Sequence, residues 1–583
     1  MYLYTEQSGC VMEITSYRVK GEKNPKSKRK CIGKILEDGS FQPNAYYEER
    51  TKKELAEQKV SELEAALKKL MGEKGVEDAG GKSGEKKIAD AVSSRKKSGA
   101  TYALGKIADG TGVTEALEEV FGEERSREIL SVAMYMTLTG CDSMDEFSYF
   151  DASHVHPYGK DISSPESSRL FASVTEAEVT KFFRGLDSIQ SKAGRKGNGY
   201  YSFDSTAVSS FSENIDAVEV SKGKQDPDLM HFSIAAIHGS RSDMCAYYRL
   251  YRGNIPDIRT VNDFVAVTKE MGYPFGKVVF DKGYASWNNI HVVKTKLNAE
   301  VMLMLPSSFS SFSSSIEKVR GTFEAKSSNY IPGQEVYGCT VPDTVKYTVD
   351  GSEHSLFVYI HVYYSEARRA EETAKLHDSV EDQILSLTGK LEGGKLSVQD
   401  ARDGKFRCDH KRCISVRRTG NSACVFEKNP EEIDAVLRNK GYFCILTTEA
   451  MKADEAIRIY RGRDGVERVF NVLKNDIGFD RAAVKTNETL EGKVFCAMIA
   501  TMLVCAMRKG IRENRAALTR KMTLSRLLHE LECIYTYQTG KKTVWSEISE
   551  RQNLIFKCLS VEPPVHVPVV KKKKERVSKK TIK

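Results

Sequence analysis

The chain has 583 residues, of which 40% are hydrophobic and 29% are charged, and its formal net charge is +9. This length exceeds what one hydrophobic core organises and predicts three to five domains. The last thirteen residues, Lys571 to Lys583, hold eight Lys or Arg and one Glu, a net of +7, which leaves only +2 for the rest of the chain. Affinity for nucleic acid would therefore come from local basic patches and not from bulk charge.

The composition disfavours membrane and secreted proteins. The longest apolar run, Val494 to Met507, has 14 residues including one Thr, which is too short to span a bilayer and predicts a buried helix. The N-terminal sequence does not predict a signal peptide. Thirteen cysteines are scattered without a pairing framework, as expected for reduced thiols in a cytoplasm. The cluster Cys408-x-His410-x2-Cys413 fits no zinc-ligand spacing, and we interpret it as structural.

The N-terminal third divides into three patterns. Residues 1–44 alternate polar and apolar side chains around a basic turn and predict a small β-module. Residues 45–99 predict a charged helix at 46–72 followed by a flexible linker rich in Gly, Ser, Lys and Glu. Residues 100–190 carry apolar side chains at helical spacing and predict a helical domain.

Residues 195–306 give the clearest pattern in the chain. Periodicity and short apolar runs predict alternating elements there: strands at 199–208, 229–238, 244–253, 277–280 and 301–305, and helices at 257–271 and 286–297. The order βββαβαβ is that of a ribonuclease-H-like domain, in which three antiparallel strands are followed by two parallel additions. Asp204 lies within the first predicted strand, and Asp281 closes the fourth.

The C-terminal half alternates strands and helices. Residues 307–440 predict strands within 347–364 and 413–427, separated by a long charged helix from Glu366 to Glu392. Residues 441–448 predict a buried strand that returns to the core. Residues 511–570 predict a helical segment, with Leu527, Leu531 and Ile534 on its packed face, and residues 571–583 predict a disordered basic tail.

A helix predicted at 457–474 separates charged from apolar side chains. At about 100° per residue, Tyr460, Arg463, Glu467 and Lys474 fall within about 60° of one another, away from the apolar face. A carboxylate beside two cations on a core-packed helix suits a metal ion next to a phosphate backbone. Two ordinary interpretations remain open, namely exposed charge pairs and a capping box with Asp464 as N-cap and Glu467 at N3.

The spacing Y-x2-R-x3-E-x6-K of these residues resembles the signature of insertion-sequence transposases of the DDE superfamily, in the branch called IS-four-like. That family also has one aspartate on the first core strand and one at the end of the fourth, commonly followed by a basic residue, Gly and Tyr. The chain has Phe203-Asp204-Ser205-Thr206 and then Asp281-Lys282-Gly283-Tyr284. The specific motifs cover residues 195–306 and 440–507, and the flanks match in layout only.

The resemblance implies an α/β fold. Its ribonuclease-H-like catalytic core, at 195–306 and 441–510, would be interrupted by a mainly β insertion domain at 307–440. The N-terminal β and helical modules and the helical C-terminal segment would flank this core. Small helical domains at the position of residues 100–190 commonly bind transposon ends in the family, although a dimerisation or packing role is equally compatible with the sequence.

The resemblance also implies a chemistry. Three carboxylates brought close together repel one another at low dielectric, and divalent ions relieve that repulsion. Two Mg²⁺ or Mn²⁺ ions could then activate a water or a 3′-hydroxyl and stabilise the leaving oxygen. The implied catalytic residues and metal ligands are Asp204, Asp281 and Glu467. The implied DNA contacts are Tyr460, Arg463 and Lys474, of which Tyr460 is equally suited to packing.

The activity implied is cleavage of DNA at the ends of an insertion sequence and joining of those ends to target DNA. The expected partners are double-stranded DNA and a second copy of the chain, in a prokaryotic cytoplasm at the nucleoid and without a membrane. Two alternatives stay open, a ribonuclease-H-like nuclease or resolvase that cuts without joining and a catalytically silent DNA-binding derivative. The complete set of Asp204, Asp281 and Glu467 favours an active enzyme, and the large insertion with its flanking modules favours a transposase.

Overall fold

The structure is a computed structural model. It describes strands within residues 2–43 and then residues 94–194, 199–212, 214–219, 230–239, 242–270, 276–419, 423–514, 522–539 and 542–565. The chain divides into two compact units, Met1–Ala89 and Asp90–Lys583. The predicted helix at 46–72, the linker up to residue 93 and the basic tail at 571–583 lie outside the described residues.

The first unit contains an antiparallel sheet whose strands follow one another in chain order. The strands predicted in residues 1–44 are present here, because alternating sequences such as Cys10–Tyr17 favour extended backbone. The strands are β1 Tyr2–Thr5, β2 Cys10–Tyr17, β3 Lys26–Ile35 and β4 Phe41–Pro43.

The second unit mixes strands and helices along its whole length. Its strands are β5 Ser94–Lys97, β6 Tyr201–Ser210, β7 Met230–Gly239, β8 Met244–Arg252, β9 Lys277–Phe280, β10 Glu300–Leu305, β11 Tyr330–Ile331, β12 Val336–Val349, β13 Ser352–Tyr364, β14 Ile414–Thr419, β15 Ala423–Lys428, β16 Tyr442–Thr447, β17 Tyr535–Thr539 and β18 Lys542–Trp545. Its α-helices are α1 Gly99–Thr111, α2 Val113–Thr139, α3 Phe147–Ser153, α4 Ser164–Ala172, α5 Glu176–Lys192, α6 Asp257–Glu270, α7 Trp287–Val292, α8 Ser310–Val319, α9 Glu366–Glu392, α10 Val398–Arg402, α11 Pro430–Leu437, α12 Ala453–Arg461, α13 Asp464–Asn471, α14 Asn487–Glu513, α15 Leu524–Glu532 and α16 Glu550–Cys558.

A nine-stranded mixed sheet forms the centre of this unit, in the order β11-β12-β13-β16-β10-β9-β6-β7-β8. Strands β6, β7 and β8 are antiparallel neighbours, whereas β9 is parallel to β6 and β10 is parallel to β9. The fold class is therefore mixed α/β, and the predicted element order βββαβαβ is observed from β6 to β10. Buried runs such as His231–Phe232–Ser233–Ile234 mark strands covered on both faces.

Helix α14 packs its apolar residues inside the unit, against α2, α4 and β8. By length and composition this helix could cross a membrane, yet most of its apolar stretch is buried here. The buried helix predicted at Val494 to Met507 is thus confirmed. The helix also buries the ammonium of Lys493, which lies 2.7 Å from Asp142 Oδ2 and therefore keeps its charge compensated.

The prediction that residues 307–440 are mainly β is wrong. The hairpin β12–β13 extends the central sheet, because β13 pairs with β16. Helices α9, α10 and α11 form a second core with the hairpin β14–β15, around residues such as Val380, Phe426 and Ile433. We call residues 366–440 the insertion lobe. Its long helix has the predicted bounds, Glu366–Glu392, because helical charge periodicity is a local signal.

The segment at residues 511–570, predicted as helical, contains the helices α15 and α16 and also the strands β17 and β18. The hairpin β17–β18 lies between α15 and α16, and β17 pairs with β5. Residues 94–97, predicted as linker, are therefore a strand. The guanidinium of Arg95 lies 3.8 Å from the ring centroid of Tyr535, a contact between residues far apart in sequence that no local pattern predicts.

Gly492 on α14 should not tolerate a methyl group. A Cβ there would lie 2.2 Å from the carbonyl oxygen of Phe171, so Gly492→Ala should destabilise the protein by about 1–3 kcal/mol or more. Gly389 on α9 is the control, since a Cβ there would meet nothing within 4 Å. Gly389→Ala should be neutral or stabilise by about 0.5–1 kcal/mol. Urea unfolding of both variants measures this, and equal effects would contradict the packing of α14 on α4.

Candidate active site

Strand register brings the two predicted aspartates side by side. Strands β6 and β9 are parallel neighbours in which Phe203 pairs with Phe280. Asp204 directly follows Phe203, and Asp281 directly follows Phe280. Phe203 points into the core, where its ring centroid lies 5.1 Å from that of Tyr284. Because side chains alternate along a strand, Asp204 points to the opposite face of the sheet.

The segment at 457–474 is not one continuous helix as predicted. Helix α12 ends at Arg461, α13 begins at Asp464, and residues Val472–Asp476 form a π-helical turn. The break follows from Gly462, whose flexibility weakens a helix, although its backbone stays in the right-handed region. Asp464 is the first residue of α13 and not its N-cap, so the capping-box interpretation is wrong.

The guanidinium of Arg463 joins all three predicted catalytic carboxylates. Its Nη2 lies 2.7 Å from Glu467 Oε1 and 3.7 Å from Asp281 Oδ1, and its Nη1 lies 3.7 Å from Asp204 Oδ2. The Tyr460 hydroxyl donates to Asp281 Oδ1 at 3.3 Å. Arg463 is only 9% exposed, so the contact between Arg463 and Glu467 is more than an exposed helical charge pair. Three carboxylates from distant parts of the sequence thus surround one buried cation, and we call these three acidic residues the carboxylate cluster.

Burial changes the pKa of two groups at this site, Asp204 and Tyr460. It raises the pKa of Asp204 to about 6, an effect that the Ser205 backbone N–H and Arg463 oppose and that Asp281 and Glu467 reinforce. Burial also raises the pKa of the Tyr460 hydroxyl, and the nearby Asp281 carboxylate adds to this rise. The phenol therefore stays protonated at neutral pH and can donate to Asp281.

Lys474 lies in the π-helical turn, outside the ion pairs that Arg463 makes with the carboxylates. It follows Glu467 by seven residues, which is roughly 10 Å along a helix axis. Burial lowers the pKa of its ammonium, and the charge of Asp480 opposes that change. The structure therefore brings Tyr460 and Arg463 to the carboxylates and leaves Lys474 further along the helix.

The donor set of the carboxylate cluster suits a divalent ion, since Mg²⁺ and Mn²⁺ prefer carboxylate oxygens. In the part of the chain that the structure describes, no three His, Cys, Asp or Glu side chains lie close enough to hold a metal ion together. The Arg463 guanidinium lies between the three carboxylates instead. Its Nε and Nη1 are buried without hydrogen-bond partners, so charge and not hydrogen bonding holds this side of the group.

An ionic network around the buried carboxylate of Asp243, which the sequence did not predict, joins α13 to the sheet. His238 Nε2 lies 3.1 Å from Asp243 Oδ1, and the same carboxylate contacts Arg468 at 3.3 Å and also Arg512. Burial opposes the charge of Asp243, yet His238 and Arg512 hold the pKa of this carboxyl well below its usual range. No spacing pattern in the sequence predicts this network, because its residues lie on a strand, a turn and two helices that meet only in the fold.

Gly465 allows α13 to approach this network closely. A Cβ at residue 465 would lie 2.2 Å from His238 Cε1. The close approach places Glu467, two residues further along α13, beside strand β6, which carries Asp204. The glycine that weakens the helix locally is thus the residue that permits the packing of α13 on β7.

Comparisons with known proteins do not place the chain in a family. No protein-family model matches the sequence, and no curated protein matches it. Among solved structures, the chain is similar to piggyBac transposase in a cryo-EM structure of its synaptic complex with hairpin DNA, at 8% identity and a TM-score of 0.32 over 76% of each chain. A likeness at this level defines neither the fold nor the function of this chain.

Replacing Asp204 by Asn should stabilise the metal-free protein at neutral and alkaline pH. The folded chain holds the Asp204 proton more tightly than the unfolded chain, because the pKa is about 6 instead of 3.8. Ionisation therefore costs stability as the pH rises through that interval, by up to about 3 kcal/mol. Thermal unfolding in excess chelator should show a higher melting temperature for Asp204→Asn at about pH 8 and no advantage at about pH 4.

Asp434, an exposed aspartate on α11, provides the control for this measurement. Asp434→Asn should change the melting temperature little at either pH. A loss of stability in Asp204→Asn that is equal at both pH values would contradict the burial of an ionised Asp204.

Proposed function

We propose that this protein is a DNA transposase of the DDE type, which cleaves DNA at element ends and joins them to target DNA by metal-dependent phosphoryl transfer. The observation that supports the proposal most is the convergence of Asp204, Asp281 and Glu467 on one point. These residues come from three separate stretches of sequence, and Arg463 contacts all of them.

The sheet topology supports a ribonuclease-H-like core around that point. Strands β8, β7 and β6 are antiparallel, and β9 and β10 are added parallel to β6. Asp204 lies on the first strand of this series, and Asp281 follows the fourth. An acidic pair at this position, completed by a glutamate from a later helix, is the arrangement that the resemblance implies.

In the proposed reaction Asp204, Asp281 and Glu467 hold two Mg²⁺ or Mn²⁺ ions. When bound, such ions supply activation of a water or 3′-hydroxyl and stabilisation of the leaving oxygen. Tyr460 donates to Asp281 and orients that carboxylate. Arg463, released from the carboxylates, binds a phosphate oxygen near the scissile bond, a role for which its fork of donors is suited.

Lys474 has a separate role in this proposal. Its ammonium is too far along the helix to contact the same phosphate as Arg463, so it would bind a neighbouring phosphate of the substrate strand. The proposed partners are double-stranded DNA and a second copy of the chain on that DNA, in a prokaryotic cytoplasm.

Replacing Glu467 by Gln should abolish DNA cleavage and preserve DNA binding. The substitution keeps the shape of the side chain and removes the charge that would bind a metal ion. The measurement is Mn²⁺-dependent cleavage of supercoiled plasmid and of duplexes taken from the DNA that flanks the reading frame, with binding followed by gel shift. Lys474→Ala should reduce cleavage partly and weaken binding, since one charged contact contributes about 1–3 kcal/mol.

Glu455 provides the matched control, because it is an exposed glutamate on the neighbouring helix α12. Glu455→Gln should cleave like the wild type. If folded Glu467→Gln protein also cleaves at a near wild-type rate, the assignment of the three carboxylates is wrong. If the wild type binds these DNAs and never cleaves them, the silent DNA-binding derivative is the better description, and cleavage without joining would identify a nuclease.

A further inference from the structure

A large cavity lies beside the carboxylate cluster. Its volume is about 890 Å³, at the upper end of what ligand-binding cavities enclose. Asp281, Tyr460 and Arg463 form part of one wall, and Arg412 and Lys440 of the insertion lobe are among the residues that line the cavity with them. The cavity therefore connects the proposed reaction centre to a part of the chain outside the ribonuclease-H-like core.

Cations outnumber carboxylates around this cavity. Arg368 is compensated by Glu372, at 2.9 Å, and Arg463 is compensated by the carboxylate cluster. Over the ranges that the structure covers, Lys282, Arg412 and Lys440 have no ion-pair partner. Cations grouped in a concave site focus positive potential there, and a polyanion is the ligand that neutralises several of them at once.

The basic character continues along the insertion lobe. Residues 402–428 hold eight Lys or Arg and three Asp or Glu, which gives this segment a net charge of +5. The whole chain has a net charge of +9, of which +7 lies in its tail. Arg412 belongs to this segment and reaches the cavity. A phosphate backbone could thus run from the lobe surface to the cavity with cations along its path.

The size and lining of the cavity indicate which kind of polyanion it binds. A space of this volume accommodates a short segment of one strand. Phe312 and Tyr442 also line the cavity, and both side chains are largely buried. Several cations placed along one path fit the repeated phosphates of a nucleic-acid strand better than a single free anion.

We propose that the insertion lobe supplies the strand-binding wall of the active site. Lys282, Arg412 and Lys440 bind phosphates of one DNA strand whose scissile phosphate lies at the carboxylate cluster. This inference rests on the proposed function, since it assigns the cavity to the same substrate. The three carboxylates and the residues of α12 and α13 keep the roles proposed above. The inference gives the insertion lobe a further role, which is to bind the DNA strand.

The double variant Arg412→Gln/Lys440→Gln tests the proposal without requiring cleavage. Binding of a fluorescent single-stranded DNA, and of a duplex with a frayed end, is measured by anisotropy in excess chelator over a series of KCl concentrations. Losing two phosphate contacts should make the slope of log affinity against log salt shallower by roughly 1.4, because each contact on a single strand contributes about 0.7.

Lys390 and Lys395, near the other end of the lobe, give the matched control. Both are exposed, and Lys390 lies roughly 33 Å along α9 from Arg368, at about 1.5 Å per residue. Lys390→Gln/Lys395→Gln removes the same charge and should leave the slope unchanged. In parallel, DNA should protect Lys282 and Lys440 from acetylation, detected by mass spectrometry, and should leave Lys390 reactive.

The outcomes separate this inference from the proposed function. Equal slopes for the two double variants, or acetylation of Lys440 that DNA does not reduce, would overturn the strand-binding wall. In that case Glu467→Gln could still abolish cleavage, and the proposed function would stand. Tighter binding of RNA than of DNA with the same dependence on Arg412 and Lys440 would overturn the assignment to DNA.

Discussion

The arrangement of the site depends on one buried guanidinium. Asp204, Asp281 and Glu467 lie near one another beside the interior strands β6 and β9, and Arg463 contacts all three. Two like charges about 4 Å apart repel by about 4 kcal/mol at an effective dielectric of 20. A cation between the carboxylates removes that repulsion, so Arg463 is what allows three ionised groups to converge in the absence of other ligands.

The same guanidinium is also central to the proposed reaction. Two of its nitrogens, Nε and Nη1, are buried without hydrogen-bond partners among the described residues. One side of Arg463 is therefore held by charge alone, while its Nη2 donates to Glu467 Oε1 at 2.7 Å. In the proposed reaction a divalent ion and a phosphate would replace these contacts. The contacts of Asp243 with His238 and Arg468 do not involve Arg463, and they join α13 to β7 and the turn after it.

Much of this fold follows from local sequence signals. The strands from β6 to β10 were predicted within a few residues because buried β-runs are short, apolar and bounded by turns, and the bounds of α9 follow from its charge periodicity. Asp204 and Asp281 could be singled out since each stands in a distinctive strand context. These signals extend over only a few residues, so they can be recognised in a single sequence.

What the sequence did not show depends on contacts between distant segments. The pairing of β5 with β17 joins residues about four hundred positions apart, and the network at Asp243 combines a turn with two helices. The break between α12 and α13 follows from packing as well as from Gly462, because Gly465 must approach His238. The position of Arg463 between the carboxylates was likewise not predicted, since helical spacing alone indicated a phosphate contact.

Direct titration with Mn²⁺ in the absence of DNA tests the central claim, that three carboxylates form a divalent-metal site which Arg463 neutralises at rest. Electron paramagnetic resonance of free Mn²⁺ measures binding to the wild type, to Arg463→Gln and to Asp281→Asn. The account predicts that Arg463→Gln binds Mn²⁺ more tightly than the wild type, because a competing cation is gone, and that Asp281→Asn binds it more weakly. Unchanged or weaker binding by Arg463→Gln, or unchanged binding by Asp281→Asn, would contradict it.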